Sequence, residues 1–343
     1  MAVPASVPSP WQASASGKVI LFGEHAVVYG QPALAVPVAQ VQATATITPR
    51  AAASTPEGLE TAIWIEASDL QRRYRLSDAG PNDPLAAAVR LTLAKYKSSG
   101  RTAPPASFAV RVSSTIPISS GMGSGAAVCT ATIRALSSFL GLPLADAEIS
   151  ALVYETEKLL HGTPSGIDNT VIAFGRPVYF VRGQAPLPFQ AGAPFTLVIG
   201  DTGISKPTRL VVGDVREAYQ RDPALYSALF DAIGQVVRRA YALIESGKPE
   251  EHRPLLNENH VLLQEIGVSC KELDSLVTSA LQAGALGAKL SGGGRGGNMI
   301  ALVLPSQAAH VAAALQASGA KRTIVTEVGA GEQGGRGARG QGC

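Results

Sequence analysis

Lys18, Glu24 and His25 fall inside one short segment, G-K-V-I-L-F-G-E-H-A-V-V-Y-G, over residues 17–30. An apolar, strand-like run carries the ammonium, Gly23 permits a sharp turn, and the carboxylate and imidazole follow where the strand ends. So dense a set of polar groups beside an apolar run is hard to explain by folding alone and marks a substrate site. A second set lies in E-K-L-L-H-G-T-P-S-G-I-D-N, residues 157–169. Glu157 and His161 stand four apart on a helix and share a face near its C-terminal end. Gly162 ends that helix, and Pro164, Ser165 and Gly166 form a turn that delivers Asp168 as a fixed carboxylate. Each has a structural reading as well: Glu157 as a solvated helix carboxylate, Asp168 as a cap, His161 as a partner for the helix's last carbonyls. We favour the structural role for His161 and the functional one for Asp168.

Two glycine-rich segments flank this second set. In P-I-S-S-G-M-G-S-G-A-A, residues 117–127, Gly121, Gly123 and Gly125 remove side chains so that backbone N–H groups can converge. Ala126 then opens a helix whose unpaired N–H groups and dipole favour an anion, which describes a phosphate cradle. The bland alternative is a tight strand-to-helix turn with no ligand. No G-x-x-x-x-G-K-[ST] string occurs, so the loop is not of the Walker type. In K-L-S-G-G-G-R-G-G-N-M-I-A-L-V, residues 289–303, Gly292, Gly294 and Gly297 satisfy G-x-G-x-x-G. A dinucleotide fingerprint should open a helix, whereas these glycines run into an apolar, strand-like stretch, so a nicotinamide enzyme is disfavoured.

The elements that must position these groups are legible at low resolution. Strands are predicted over residues 18–22, 40–48, 108–112, 196–200 and 299–304. Helices are predicted over 85–96, 126–140 and 148–161, with 210–246 mostly helical. Strands with crossing helices dominate up to about residue 182, and a Gly/Gln/Ala/Pro-rich stretch over 183–194 reads as a linker. The expected organisation is a disordered lead-in over 1–12, a first domain over 13–190, a second over 191–328, and a disordered glycine-rich tail over 329–343.

At 343 residues and 46% hydrophobic content the chain can bury a large core, and two closely packed domains suit that length better than one. A net charge of +3, with the basic residues dispersed, argues against nucleic acid or membrane as a partner. Cys129, Cys270 and Cys343 show neither metal-ligand spacing nor a disulfide framework, which suits a reducing cytoplasm. Cys129 is expected to pack as a small apolar residue. No signal-like or membrane-spanning run is evident, so a cytoplasmic location is expected.

In their order along the chain, the four quoted segments resemble those of the GHMP kinase superfamily, and the G-E-H-A-V-V-Y-G and H-G-x-P-S-G-x-D-N strings resemble its mevalonate-phosphorylating branch. The resemblance implies an α+β, two-domain GHMP kinase fold, with a ribosomal protein S5 domain 2-like N-terminal domain and an α/β C-terminal domain. ATP and mevalonate would share the cleft between them, with Mg2+ as cofactor and a homodimer as the common assembly. Carried over by position, it implies that Asp168 is the catalytic carboxylate, with Lys18 beside it. Ser120, Gly121, Met122, Gly123, Ser124 and Gly125 would bind the ATP phosphates. Glu157 would hold magnesium, and Glu24, His25, Ser165 and Thr208 would lie around substrate or nucleotide.

The chain departs from the family pattern at several positions. Ser119 stands for a glycine, Met122 for leucine, and Gly125 for the serine expected on magnesium, which leaves that ligand oxygen to Ser124 or a water. Ser16 stands for proline, Arg295 for glycine and Asn298 for cysteine. Two alternatives stand beside mevalonate phosphorylation: a kinase of the same superfamily acting on phosphomevalonate, another hydroxyl of mevalonate or a sugar, and a non-catalytic ligand-binding relative.

Overall fold

The computed structural model describes residues 11–50, 53–55, 58–60, 62–101, 107–117, 120–162, 164–248, 251 and 253–329; for residues 53–55, 58–60, 160 and 161 it describes the backbone alone. Ser119, the His161 side chain, the lead-in up to residue 10 and the tail from residue 330 therefore lie outside the described residues.

The first half of the chain runs β1 (Gln12–Phe22), β2 (Ala33–Pro49), β3 (Ala53–Thr55), β4 (Gly58–Glu60), β5 (Ile63–Ala67), β6 (Arg72–Arg75), α1 (Pro84–Ser98), β7 (Phe108–Ser114), α2 (Ser124–Phe139), α3 (Asp146–His161), α4 (Ile167–Phe174), β8 (Val178–Phe180) and β9 (Leu187–Pro188). The large sheet has the order β6-β5-β7-β2-β8-β9, with β1 paired antiparallel to β2 off that path. In β2, Val41, Ala43, Ala45 and Ile47 are buried while Gln42 and Thr48 face out, the period of two expected for a half-buried strand. Helix α2 packs on β1 and β2, and α1, α3 and α4 pack around α2. Asp83 caps α1 by accepting from the Leu85 and Ala86 amides at 3.0 and 2.9 Å, and Pro84 supplies a preset φ in the first turn.

The second half runs β10 (Phe195–Asp201), α5 (Thr208–Arg221), α6 (Pro223–Glu245), α7 (Arg253–Glu265), α8 (Lys271–Gln282), β11 (Gly287–Ser291), β12 (Asn298–Val303), α9 (Ala308–Ala317) and β13 (Arg322–Val328). Its antiparallel sheet has the order β11-β12-β10-β13. The predicted helical stretch over 210–246 is divided at Asp222 and Pro223. Proline lacks the N–H that a continuous helix needs, and the Asp222 carboxylate accepts from the Leu225 amide at 3.1 Å to start the next helix. One buried apolar cluster runs through both sheets.

The residues read as a linker are tied down. Within that stretch β9 pairs with β8, and the Gly192 amide donates to the Ile244 carbonyl at 2.9 Å. At the other end, Trp11 packs edge-to-face on Phe139 with ring centroids 5.1 Å apart, and β1 begins at Gln12, so order reaches into the expected lead-in. Among the described residues no helix is long and apolar enough to cross a membrane.

Candidate active site

Strand β1 places Lys18 through a local irregularity. Its register against β2 shifts between Ser16 and Gly17, and Lys18 then stands opposite Pro37, which has no N–H for the ladder. The Lys18 amide donates to the Met122 carbonyl at 3.0 Å, which ties the strand to the middle glycine loop. Lys18 is 3% exposed, and its Nζ lies 2.9 Å from Asp168 Oδ1. Gly123 explains the close fit. A Cβ there would stand 2.7 Å from Ile172 Cδ1 and 3.2 Å from Lys18 Cγ, and its φ is +73°. Only glycine lets the loop settle on both the lysine and helix α4.

Helix α2 begins at Ser124, two residues before the predicted start, so Ser124 and Gly125 belong to its first turn. Gly123 is its N-cap and offers no side-chain acceptor, so the first-turn amides keep their capacity for an anion. Gly121 is exposed with φ +79°, and a Cβ would meet nothing within 4 Å, so the loop faces open space there. The Met122 side chain is buried in the core, and its carbonyl is taken by Lys18, so of the ATP-loop residues it serves as an anchor. Ser120 is buried too, with Oγ donating to the Pro117 carbonyl at 2.9 Å.

Asp168 sits in the first turn of α4, whose N-cap, Gly166, likewise lacks a side-chain cap; a carboxylate at that end is favoured by the helix dipole. Ser165 Oγ, in the preceding turn, accepts from the Ile167 amide at 3.4 Å. Glu157 lies on α3 at 4% exposure. Burial first, and then the negative charge of Asp168, push its carboxyl up to about 7, against the pull of Lys18. The solvated-carboxylate reading of Glu157 therefore falls. Asn169 fixes the two helices together, its Nδ2 donating to the Ser150 carbonyl at 3.1 Å and to Ser150 Oγ at 2.9 Å. Cys129 behaves as an apolar residue, buried, with its thiol pushed up to about 12 by burial.

The buried Glu157 carboxyl and the half-buried Asp168 carboxylate offer the hard oxygen donors that magnesium takes. Among the described residues no cluster of three His, Cys, Asp or Glu side chains is present. Glu157 and the Ser124 hydroxyl are oxygen donors of the kind a magnesium ion accepts, its other ligands coming from phosphate and water.

Glu24 and His25 meet the late glycine loop. Glu24 and Lys289 form an ion pair with both side chains fully buried. Burial drives the Glu24 carboxyl up and the Lys289 ammonium down, and each charge is held by the other. His25 has φ 59° and ψ −49°, and the Ala26 amide donates to the Glu24 carbonyl at 2.6 Å across it, which makes a strained γ-turn. Its Nε2 lies 3.0 Å from the Gly293 carbonyl, which can only accept, so Nε2 carries the proton. Burial lowers the imidazole to about 4, so the ring is neutral at neutral pH. Thr208, first residue of α5, approaches the other side of Gly293, where a Cβ would stand 3.1 Å from its Oγ1.

That loop also holds residues whose roles sequence reasoning missed. Ser291 Oγ donates to the Ile20 carbonyl at 2.8 Å and accepts from the Ile20 amide at 3.1 Å, so one hydroxyl stitches β11 to β1. Asn298 Nδ2 donates to the Ser120 carbonyl at 2.6 Å. Lys289 and Asn298 were detectable as polar residues embedded in fully buried strands, G-A-K-L-S and N-M-I-A-L-V. Arg295, in place of the family's glycine, adopts φ +55° and pairs with Asp214 on α5.

Comparison with known proteins agrees with this geometry. Residues 85–176 match the GHMP kinases N terminal domain and residues 240–321 the GHMP kinases C terminal domain. The chain belongs to the GHMP kinase family. It falls among that family's mevalonate kinases: it is 38% identical to the enzyme of Pyrococcus furiosus, over 92% of this chain and 95% of that one. It is 39% identical to the enzyme of Pyrococcus horikoshii, over 90% and 92%. Among solved structures, L. major mevalonate kinase in complex with R-mevalonate superposes with a TM-score of 0.77 at 30% identity, over 96% of this chain and 98% of that one. The expected two-domain α+β GHMP kinase fold is therefore borne out.

Proposed function

We propose that the protein is a mevalonate kinase, transferring the terminal phosphoryl group of ATP to the C5 hydroxyl of mevalonate. The observation that carries this reading is the Lys18–Asp168 pair at 2.9 Å, set directly against the open glycine loop. Phosphoryl transfer proceeds through a loose transition state, so a kinase must mainly align the hydroxyl with the phosphorus and offset the charge that spreads over its oxygens.

Asp168 accepts or orients the hydroxyl proton at Oδ1 or Oδ2, and Lys18 holds that carboxylate and faces the developing charge. The amides of residues 121–125 and the start of α2 bind the phosphates. Glu157, with Ser124, would hold magnesium, which supplies charge neutralisation on phosphate oxygens when bound. Glu24 and His25 hold the wall of the site through Lys289 and Gly293, and Ser165 and Thr208 lie at its rim. The reading includes a cytoplasmic homodimer, which sedimentation and cell fractionation test.

A coupled assay for ADP release, run with ATP, magnesium and a panel of mevalonate, phosphomevalonate and sugars, tests the assignment. Turnover is expected with mevalonate, giving a C5 phosphate monoester by phosphorus NMR. Absence of turnover with mevalonate overturns it, and phosphate on another alcohol of the panel would install the neighbouring kinase reading instead.

A further inference from the structure

Asn298 opens strand β12 in the second half of the chain, yet its side chain ends on the middle glycine loop of the first half. It is 2% exposed. Nδ2 donates to the Ser120 carbonyl at 2.6 Å, while Oδ1 is buried with no hydrogen-bond partner. The neighbouring Gly297 brings its backbone close to the same oxygen: a Cβ there would stand 3.6 Å from it. A buried amide with its acceptor oxygen unmatched is a poor device for stability alone, because an apolar residue of similar shape avoids the loss.

We propose that Asn298 is a positioning residue that fixes the Ser120–Gly121 peptide plane and so aims the Gly121 N–H at the phosphates of the nucleotide. The inference rests on the nucleotide reading given above. In a trans peptide the C=O and N–H point in opposite directions. Holding the Ser120 carbonyl down onto β12 therefore turns the Gly121 N–H away from β12, at a glycine that is exposed and where an added Cβ would meet nothing within 4 Å. The constraint is needed because Gly121, at φ +79°, has no side chain to resist rotation of the plane. Among the described residues the other hydrogen bond of Ser120 runs from its hydroxyl to the Pro117 carbonyl, which leaves the carbonyl direction to Asn298.

Asn298→Leu and Asn298→Asp keep the side-chain shape and remove the donor. For both, and for the wild-type chain, affinities for ATP and for adenosine are measured by calorimetry, with KM for ATP and for mevalonate alongside. The expected result is ATP binding weakened about tenfold, the scale of one lost hydrogen bond. Adenosine binding and KM for mevalonate should stay within about twofold, because one misdirected N–H touches the phosphates alone. Equal losses for ATP and adenosine would indicate general distortion and overturn the role, as would folded variants that bind ATP like the wild type. A measurement on the unsubstituted chain needs no variant to fold: the Gly121 amide resonance should move downfield when inorganic tripolyphosphate is added, and an unmoved resonance at saturation also overturns the proposal. Failure of wild-type protein to bind ATP at all would remove the nucleotide reading itself, whereas wild-type binding with unaltered variants removes Asn298 alone.

Discussion

Glu24 and Lys289 form a fully buried ion pair between the end of the first strand of the large sheet and an edge strand of the small one. Each charge has left water, and the attraction between them offsets that loss only while both are present. Lys289→Met should therefore cost about 3–5 kcal/mol of unfolding free energy, whereas Glu24→Leu combined with Lys289→Met should recover most of it. Chemical denaturation of the two singles and the double measures this. Additive losses would show that the two groups act independently.

In the proposed reaction Lys18 and Asp168 act at the transition state, where charge moves. Either Lys18→Met or Asp168→Asn should lower kcat by at least ~10²-fold, the effect of deleting one preorganised electrostatic contact. Steady-state kinetics with saturating ATP and mevalonate checks each in turn. A variant that keeps near-normal kcat takes its residue out of the catalytic set.

As the proposed magnesium ligand, Glu157 would couple metal binding to pH. Its carboxyl is raised to about 7, so it takes up a proton as pH falls through that value, and a proton competes with the metal. Below pH 7 the apparent magnesium affinity should fall roughly tenfold per unit, and above it the dependence should level off. Glu157→Gln should weaken magnesium binding and flatten this profile. Magnesium titrations of activity between pH 6 and 8 decide it, and matching profiles for the two proteins would deny Glu157 a place on the metal.

Asn169 holds α4 to α3 through Ser150, and these helices carry Asp168 and Glu157. Asn169→Ala leaves the Ser150 carbonyl short of a buried donor and should cost about 1–3 kcal/mol of stability. Because the carboxylates lose their fixed spacing, kcat should also drop at temperatures well below the unfolding transition. Thermal unfolding and kinetics together test this, and a stability loss with kcat intact would restrict Asn169 to a structural role.

Much of the framework was legible from local signals. Alternation in β2, the Asp83–Pro84 start of α1, and the Gly162 stop of α3 each reflect forces that act within a few residues. The Pro164–Ser165–Gly166 turn announced Asp168 as a fixed carboxylate for the same reason, whereas the helix α4 that carries it was not read. The strands β5, β6, β11 and β13 and the helices α7 to α9 were not read, because short apolar runs do not reveal their period without their neighbours. Glu24 and His25 were visible as polar groups beside a strand, but their partners Lys289 and the Gly293 carbonyl lie on the far side of the chain.

The sequence by itself determined which residue types were available for phosphoryl transfer and the order in which they occur, since composition, turns and helix ends are local properties. Tertiary structure alone decided that the late glycine loop grips both the first strand and the middle loop, through Lys289, Ser291, Gly293 and Asn298. It also raised the Glu157 carboxyl, because desolvation and the field of Asp168 exist only after α3 and α4 have packed together.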